Sequence, residues 1–251
     1  MSGHNKWSSI KHKKGAADAK RGQVFSKIAK EIMVTVRTGG ADPTANITLR
    51  ALIQKGRAAN MPSDNIDRAI KRGAGELEGV VLEESTFEGY APGGVALIVH
   101  VLSDNRNRTA SELRHVFTRY GASFAGQGSV MRSFQRKGDI VVEAAAVGED
   151  KLMELVLEAG AEDMKKEADV FEITTDVAQF MNVVDALNKA GIPMQQSEIS
   201  LLPDVLVPIS DKSKASSLIK LIEELEDLDD VQNVYSNFDI DPSLMEELSK
   251  A

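Results

Sequence analysis

The sequence predicts an α+β protein: an N-terminal three-helix bundle followed by two ferredoxin-like α/β domains, the middle one discontinuous. Three observations carry this. Apolar residues recur at helical spacing up to residue 73 and then give way to strand-like runs. Gly73, Gly75 and Gly79 punctuate the change. The stretch 137–203 reads as one complete βαββαβ series, the order of a split βαβ unit.

Residues 2–22 hold only Trp7 and Ile10 as sizeable apolar groups among many cations, too little burial to offset ordering entropy, so residues 1–22 are expected to form a basic flexible tail. The bundle spans 23–73. In its first helix Phe25, Ile28, Ala29, Ile32 and Val36 form one apolar stripe that stops at Gly39-Gly40. Asp42-Pro43 is expected to cap and open the second helix, which carries Leu49, Leu52 and Ile53. Asn60-Met61-Pro62 closes that helix, and Ser63 is expected to cap a third carrying Ile66, Ala69 and Ile70 inward.

Past the glycines, Glu83–Tyr90 and Val95–Leu102 read as strands joined by Ala91-Pro92-Gly93-Gly94. A helix follows, with Thr109 and Glu112 at capping-box spacing, and then a strand near Gly128–Phe134. The inserted series comprises strand 139–143, helix 149–159, strands 162–167 and 170–174, helix 176–190 and strand 195–202. Strand 205–209, helix 211–225 and strand 231–238 lack local partners. The economical solution sends them back to the sheet begun before the insertion, making one domain of 80–136 plus 204–240 and an inserted domain of 137–203; a single large mixed sheet is the alternative.

The net charge of -8 conceals a segregation: residues 1–73 hold 15 Lys+Arg against 5 Asp+Glu, a net of +10, and the remainder holds 15 against 33, a net of -18. Screening over roughly 8 Å means that a polyanion feels the basic end rather than the average, if the two regions sit well apart. With no Cys, disulfides, thiolate metal sites and cysteine nucleophiles are excluded. No window of 18 apolar residues suggests a membrane span, and the polar start argues against secretion, so the expected location is cytoplasmic.

The candidate nucleic-acid contacts are Lys6, Trp7, Lys11, His12, Lys13, Lys14, Lys20, Arg21, Lys27 and Lys30 in the tail and first helix. Cations of this density neutralise phosphates and release counterions, giving sequence-independent affinity. Trp7 either stacks on an exposed base or pins the tail against the bundle. A second set comprises Arg57, Arg68, Lys71 and Arg72, with Arg50 and Lys55 on the same polar faces. A helix-turn-helix reading fits the length of the 60–63 joint, but Asp64 and Asp67 at the start of the would-be recognition helix repel phosphates. Catalytic signals are thin. His4, His12, His100 and His115 show no metal-pair spacing, Gly126-x-Gly128 leads into a strand instead of a helix, and there is no P-loop. A cleft enzyme using His100, Asp104 or His115 is the rival class. No cofactor is expected. The acidic run Glu223–Asp230 is either a solvated face or a dock for a basic protein.

Taken together, GHNKWSSIKHKKGAADAKRGQVFSKIAKEI at 3–32, KGRAANMPSDNIDRAIKRG at 55–73 and YAPGGVALIV at 90–99 resemble the YebC/PmpR family over nearly the whole chain. That resemblance implies three domains, one helical and two α/β, and no catalytic residues. Bacterial members are generally described as DNA-binding transcriptional regulators. Mitochondrial relatives act as translational activators, and some bacterial members look like ribosome-associated factors, so ribosomal RNA or the ribosome is the alternative partner. The basic motif at Lys6, Trp7, Lys11, His12, Lys13, Lys14, Lys20 and Arg21 carries over intact. The absence of an added transit segment fits a bacterial cytosol.

Overall fold

A computed structural model describes residues 18–167 and 169–250. These divide into two compact units, 134–202 and the rest of the described chain.

The larger unit begins with α1 (Asp18–Gly39), α2 (Ile47–Ala58) and α3 (Ser63–Gly73). Ile28, Ile32 and Val36 of α1 are buried against Leu49, Met61, Ile66 and Ala69, the core that the helical spacing requires. Gly73 lets α3 cross α1 closely, since a Cβ there would lie 2.6 Å from the Met33 carbonyl oxygen.

The caps differ from expectation. Asp42 closes a local turn, its Oδ1 accepting from the Thr44 N–H and hydroxyl, both at 2.8 Å. The N-cap of α2 is Asn46, whose Oδ1 accepts from the Leu49 N–H at 3.0 Å. Its amide also donates to Thr35 O and Gly40 O at 3.2 and 2.9 Å, joining the end of α1 to the start of α2. Asp42, already turned inward on Thr44, serves neither purpose. Asn46→Ala is expected to cost about 1–3 kcal/mol, because a buried cap and two carbonyl partners are lost together; a lowered urea midpoint with unchanged slope checks it. Ser63 is the first residue of α3 and not its cap. The carbonyl of Pro62 receives the N–H groups of Asn65 and Ile66 instead.

Next come β1 (Glu83–Ala91), β2 (Val95–Ser103), α4 (Arg106–Arg119) and β3 (Ser123–Phe124). The β1–β2 hairpin turns through Gly93 and Gly94, both at positive φ (93° and 78°). Asn105 caps α4 through the Arg108 N–H, 3.1 Å away. The expected Thr109–Glu112 capping box does not form, because Thr109 lies inside the helix with its hydroxyl buried against Ser103 and Asp230. The expected strand at 128–134 is a turn followed by a short 3-10 helix (Met131–Ser133), and only Phe134 begins a strand; the amides here serve a carboxylate instead of a strand partner (below).

The smaller unit contains β4 (Phe134–Glu143), α5 (Glu149–Glu158), β5 (Ala161–Glu167), β6 (Val170–Thr175), α6 (Phe180–Lys189) and β7 (Met194–Pro203). Its strands lie in the order β5-β6-β4-β7, the interleaved order of a ferredoxin-like sheet. Ile140, Leu152, Val156, Phe171, Ile173, Phe180 and Leu187 are fully buried in it.

The chain then returns to the larger unit with β8 (Val207–Ile209), α7 (Lys212–Glu226), β9 (Val231–Ser236), β10 (Phe238–Ile240) and α8 (Pro242–Lys250). Strand β9 joins β2 antiparallel, completing the order β3-β1-β2-β9. Strand β8 does not enter that sheet; it pairs in parallel with β10. Helices α4 and α7 cover one sheet face, burying Leu97, Val99, Val101, Leu113, Phe117, Leu221 and Val234. Leu102 points to the opposite face, where it meets Val34 of α1 and Leu82. Helix α1 therefore has two working faces, one inside the bundle and one against the sheet.

Candidate nucleic-acid interface

Helix α3 is amphipathic in a particular sense. Ile66 and Ala69 point into the bundle, while Arg68, Lys71 and Arg72, at i, i+3 and i+4, share an exposed face. Arg57, in the last turn of α2, is also exposed. Among the described residues none of these four cations pairs with a carboxylate, whereas Lys55 faces Glu31 at 3.6 Å. Lys71 and Arg72 sit in the last turn of α3, where a cation complements the helix dipole. Asp64 and Asp67 stand exposed near the other end. This face attracts phosphates at one end and repels them at the other, which suits backbone contact better than insertion of the helix N-terminus into a groove.

Lys6, Trp7, Lys11, His12, Lys13 and Lys14 lie outside the described residues. Lys20 falls in the first turn of α1, and Arg21 is exposed just after it. Lys27 and Lys30 are engaged within the chain. The Lys27 ammonium donates to Glu226 O at 2.6 Å, and that of Lys30 to Asp229 O at 3.0 Å and Asp230 Oδ1 at 3.1 Å. Gln23 donates to Asp227 O at 2.8 Å and Arg37 to Leu82 O at 2.5 Å. Gln23, Lys27, Lys30, Val34 and Arg37 fall at i, i+4, i+7, i+11 and i+14, one continuous stripe along α1. The carbonyls that Gln23, Lys27 and Lys30 reach are at and beyond the negative end of α7, whereas that of Arg37 belongs to Leu82, just before β1. The acidic run therefore meets the chain's own basic helix, and Glu224 in the same run binds Arg119 and the Tyr120 hydroxyl.

Asp230 is the hub of this contact. It is 6% exposed and accepts from Arg108 Nη2 at 2.7 Å, Thr109 Oγ1 at 2.8 Å, Ser103 Oγ at 2.9 Å and Lys30 Nζ. Burial alone would raise its pKa, but the bonds from Arg108, Thr109, Ser103 and Lys30 outweigh it and hold the carboxyl well below the usual carboxylate range.

A second buried carboxylate disposes of the glycine-rich loop. Glu88 accepts from the N–H groups of Gly128, Val130 and Met131 at 2.5, 2.6 and 2.9 Å. Its burial opposes ionisation, yet these three bonds lower its pKa overall. The amides that would cradle a phosphate in a nucleotide loop thus already hold an internal anion. Nor do the candidate catalytic groups converge: His100 pairs with Glu84 at 2.8 Å, Asp104 with Arg108 at 2.9 Å, and His115 lies 3.0 Å from Arg119 Nη2. A cleft of about 1030 Å³ opens between α1, α3 and the 78–82 segment on one side and α4 and the 227–230 loop on the other. Arg72 and Arg108 on its walls are interspersed with Glu78, Asp104, Glu112 and Asp229. Among the described residues there is no cluster of three metal-ligating side chains and no helix long and apolar enough to cross a membrane.

Comparison with known proteins matches residues 5–76 to the TACO1/YebC protein N-terminal domain and 82–238 to the TACO1/YebC second and third domain. The chain belongs to the TACO1/YebC family. A relative from Syntrophobacter fumaroxidans, named a probable transcriptional regulatory protein, is 51% identical over 99% of this chain and 100% of its own. One from Geobacter sulfurreducens with the same description is 52% identical over 99% and 100%. The crystal structure of a conserved hypothetical protein from Aquifex aeolicus is 48% identical and superposes with a TM-score of 0.80, covering 89% of this chain and 92% of that one. The TACO1/YebC boundary at 76–82 falls in the segment that links α3 to β1, so the bundle is a family module in its own right. Sequence reasoning did not foresee the body-facing stripe of this TACO1/YebC chain. Its signal was present in the i, i+4, i+7 spacing of Gln23, Lys27 and Lys30, but lysines at that spacing also describe a solvated face.

Proposed function

We propose that this chain is a non-enzymatic regulator of gene expression that binds DNA through the basic face of its amino-terminal bundle, continued by the basic residues preceding it in sequence. The observation that carries the reading is the exposed, carboxylate-free set Arg57, Arg68, Lys71 and Arg72 within a region of net charge +10, joined to a body of net charge -18. The names of the relatives supply the transcriptional role. The scattered pairing of His100, Asp104 and His115 supports a binding role over a catalytic one. The same reading puts its work in the cytoplasm, where bacterial DNA lies.

The mode of binding is backbone contact with little base readout, since Asp64 and Asp67 stand where a recognition helix would meet base edges. Titrating a mixed-sequence DNA duplex against the full chain at increasing salt tests it. With roughly six to eight phosphate contacts, log K falls against log salt with a slope of about -5 to -7. An affinity that salt leaves unchanged contradicts it. A structured RNA titrated in parallel separates a DNA regulator from an RNA-binding factor by which polymer is held more tightly at equal salt.

A further inference from the structure

We infer that the phosphate-binding surface is larger than its exposed part: Lys27 and Lys30 form a latent extension of it, covered by the acidic end of α7 and uncovered when a polyanion binds. This rests on the nucleic-acid reading above and adds to it a regulated set of contacts.

Three features make the cover removable. First, the hydrogen bonds of Gln23 and Lys30 to the main-chain carbonyls of residues 227 and 229, past a helix end, are exposed, and Lys27 reaches the Glu226 carbonyl at that end. Water can replace a lysine there at little cost, and a phosphate is a stronger acceptor for that lysine than a neutral carbonyl. Second, the one buried anion involved is not stranded by opening. When Lys30 leaves, Asp230 keeps Arg108, Thr109 and Ser103, so no unpaired charge remains behind. Third, the apolar seam between α1 and the sheet is narrow, with Val34, Leu82 and Leu102 buried and Met33 beside them.

The acidic end of α7 thus acts as an internal stand-in for the phosphate chain. It discourages weak or short anions, which cannot repay opening, and yields to a long polyanion already held by Arg68, Lys71 and Arg72. Two contacts become available on opening, which deepen the salt slope by about 1.8 and add up to about 60-fold in affinity at about 0.1 M salt, less whatever opening costs.

The chain has no cysteine, so a single engineered pair reports cleanly. In the full-length double variant Gln23→Cys/Asp227→Cys, a reducible cross-linker ties α1 to the end of α7, and a mixed-sequence DNA duplex is the probe. The tied form is expected to bind several-fold more weakly than the cleaved form, with a slope shallower by about 1.8. Equal affinity and slope in both forms overturn the inference. Lys27→Gln/Lys30→Gln gives an independent reading: latent contacts require a several-fold loss and the same shallower slope, whereas lysines that serve only to hold the body leave affinity unchanged or raised. Binding to duplex in neither form of the tied variant, nor in the parent chain, defeats the nucleic-acid reading itself, a result distinct from binding that ignores the tie.

Discussion

Reversing Arg68, Lys71 and Arg72 to Glu together is expected to weaken duplex binding by roughly a hundredfold or more at about 0.1 M salt, and to make the salt slope shallower by about 2.7. Three lost phosphate contacts account for that much; the repulsion introduced by three carboxylates adds to it. The fold should survive, because all three side chains are exposed and unpaired within the described chain. The main structural cost is a less favourable last turn of α3, at most about 1–2 kcal/mol from the helix dipole. Thermal melting separates that cost from the binding loss. A matched control, Lys151→Glu, Lys165→Glu and Lys189→Glu, changes net charge equally on the smaller unit. If affinity follows net charge alone, the control falls as far as the test variant and the bundle face loses its special role.

Asp230→Ala is expected to be the most destabilising single change, at about 3–5 kcal/mol, because it removes a buried acceptor shared by four donors. The hydroxyls of Ser103 and Thr109 are left in the interior beside the Arg108 guanidinium, and Lys30 loses the one carboxylate it pairs with among the described residues. The pH dependence follows from the direction of the shift. Asp230 has a folded-state pKa depressed below its ordinary 3.8, so the unfolded chain takes up its proton first. The stabilisation is full above the unfolded value and is lost as pH falls through the folded one. Glu88, depressed from 4.5 by the three loop amides, contributes on the same acid limb. Urea unfolding of parent and variant from pH 7 down into that limb should show the gap between them shrinking on the acid side. A gap that stays constant would mean that the carboxylate's charge is irrelevant to its role.

The fold class was legible because the determinants are local. Apolar spacing in 28–36 and 66–70 identifies bundle helices, and the stops at Gly160 and Gly191, both at positive φ, delimit the helices of the inserted unit. Local signals failed where two residues competed for one job. Asp42 and Asn46 are both good caps, and only the distance to Thr35 and Gly40 across the turn selects Asn46. Thr109 has a capping sequence, but Asp230, distant in the chain, draws its hydroxyl inward. The segment expected as a strand at 128–134 is instead drawn by Glu88 into a turn and a short 3-10 helix up to Ser133.

The same limit applies to the candidate site. Charge segregation is a one-dimensional property and could be counted. Which lysines are exposed is not: Lys27 and Lys30 differ from Lys71 only in what the fold brings opposite them. The acidic run 223–230 looked available to a partner for the same reason, since its partner is a helix about two hundred residues earlier.

In the proposed mode of binding the amino-terminal cations, and not the acidic body, touch the phosphate chain. Photo-crosslinking a duplex with reactive backbone positions to the full-length protein, then mapping the adducted peptides, tests it most directly. Adducts confined to residues 1–73, centred on α3 and on the sequence before α1, are the expected result. Adducts concentrated on 134–202, with the bundle unmarked, would contradict it.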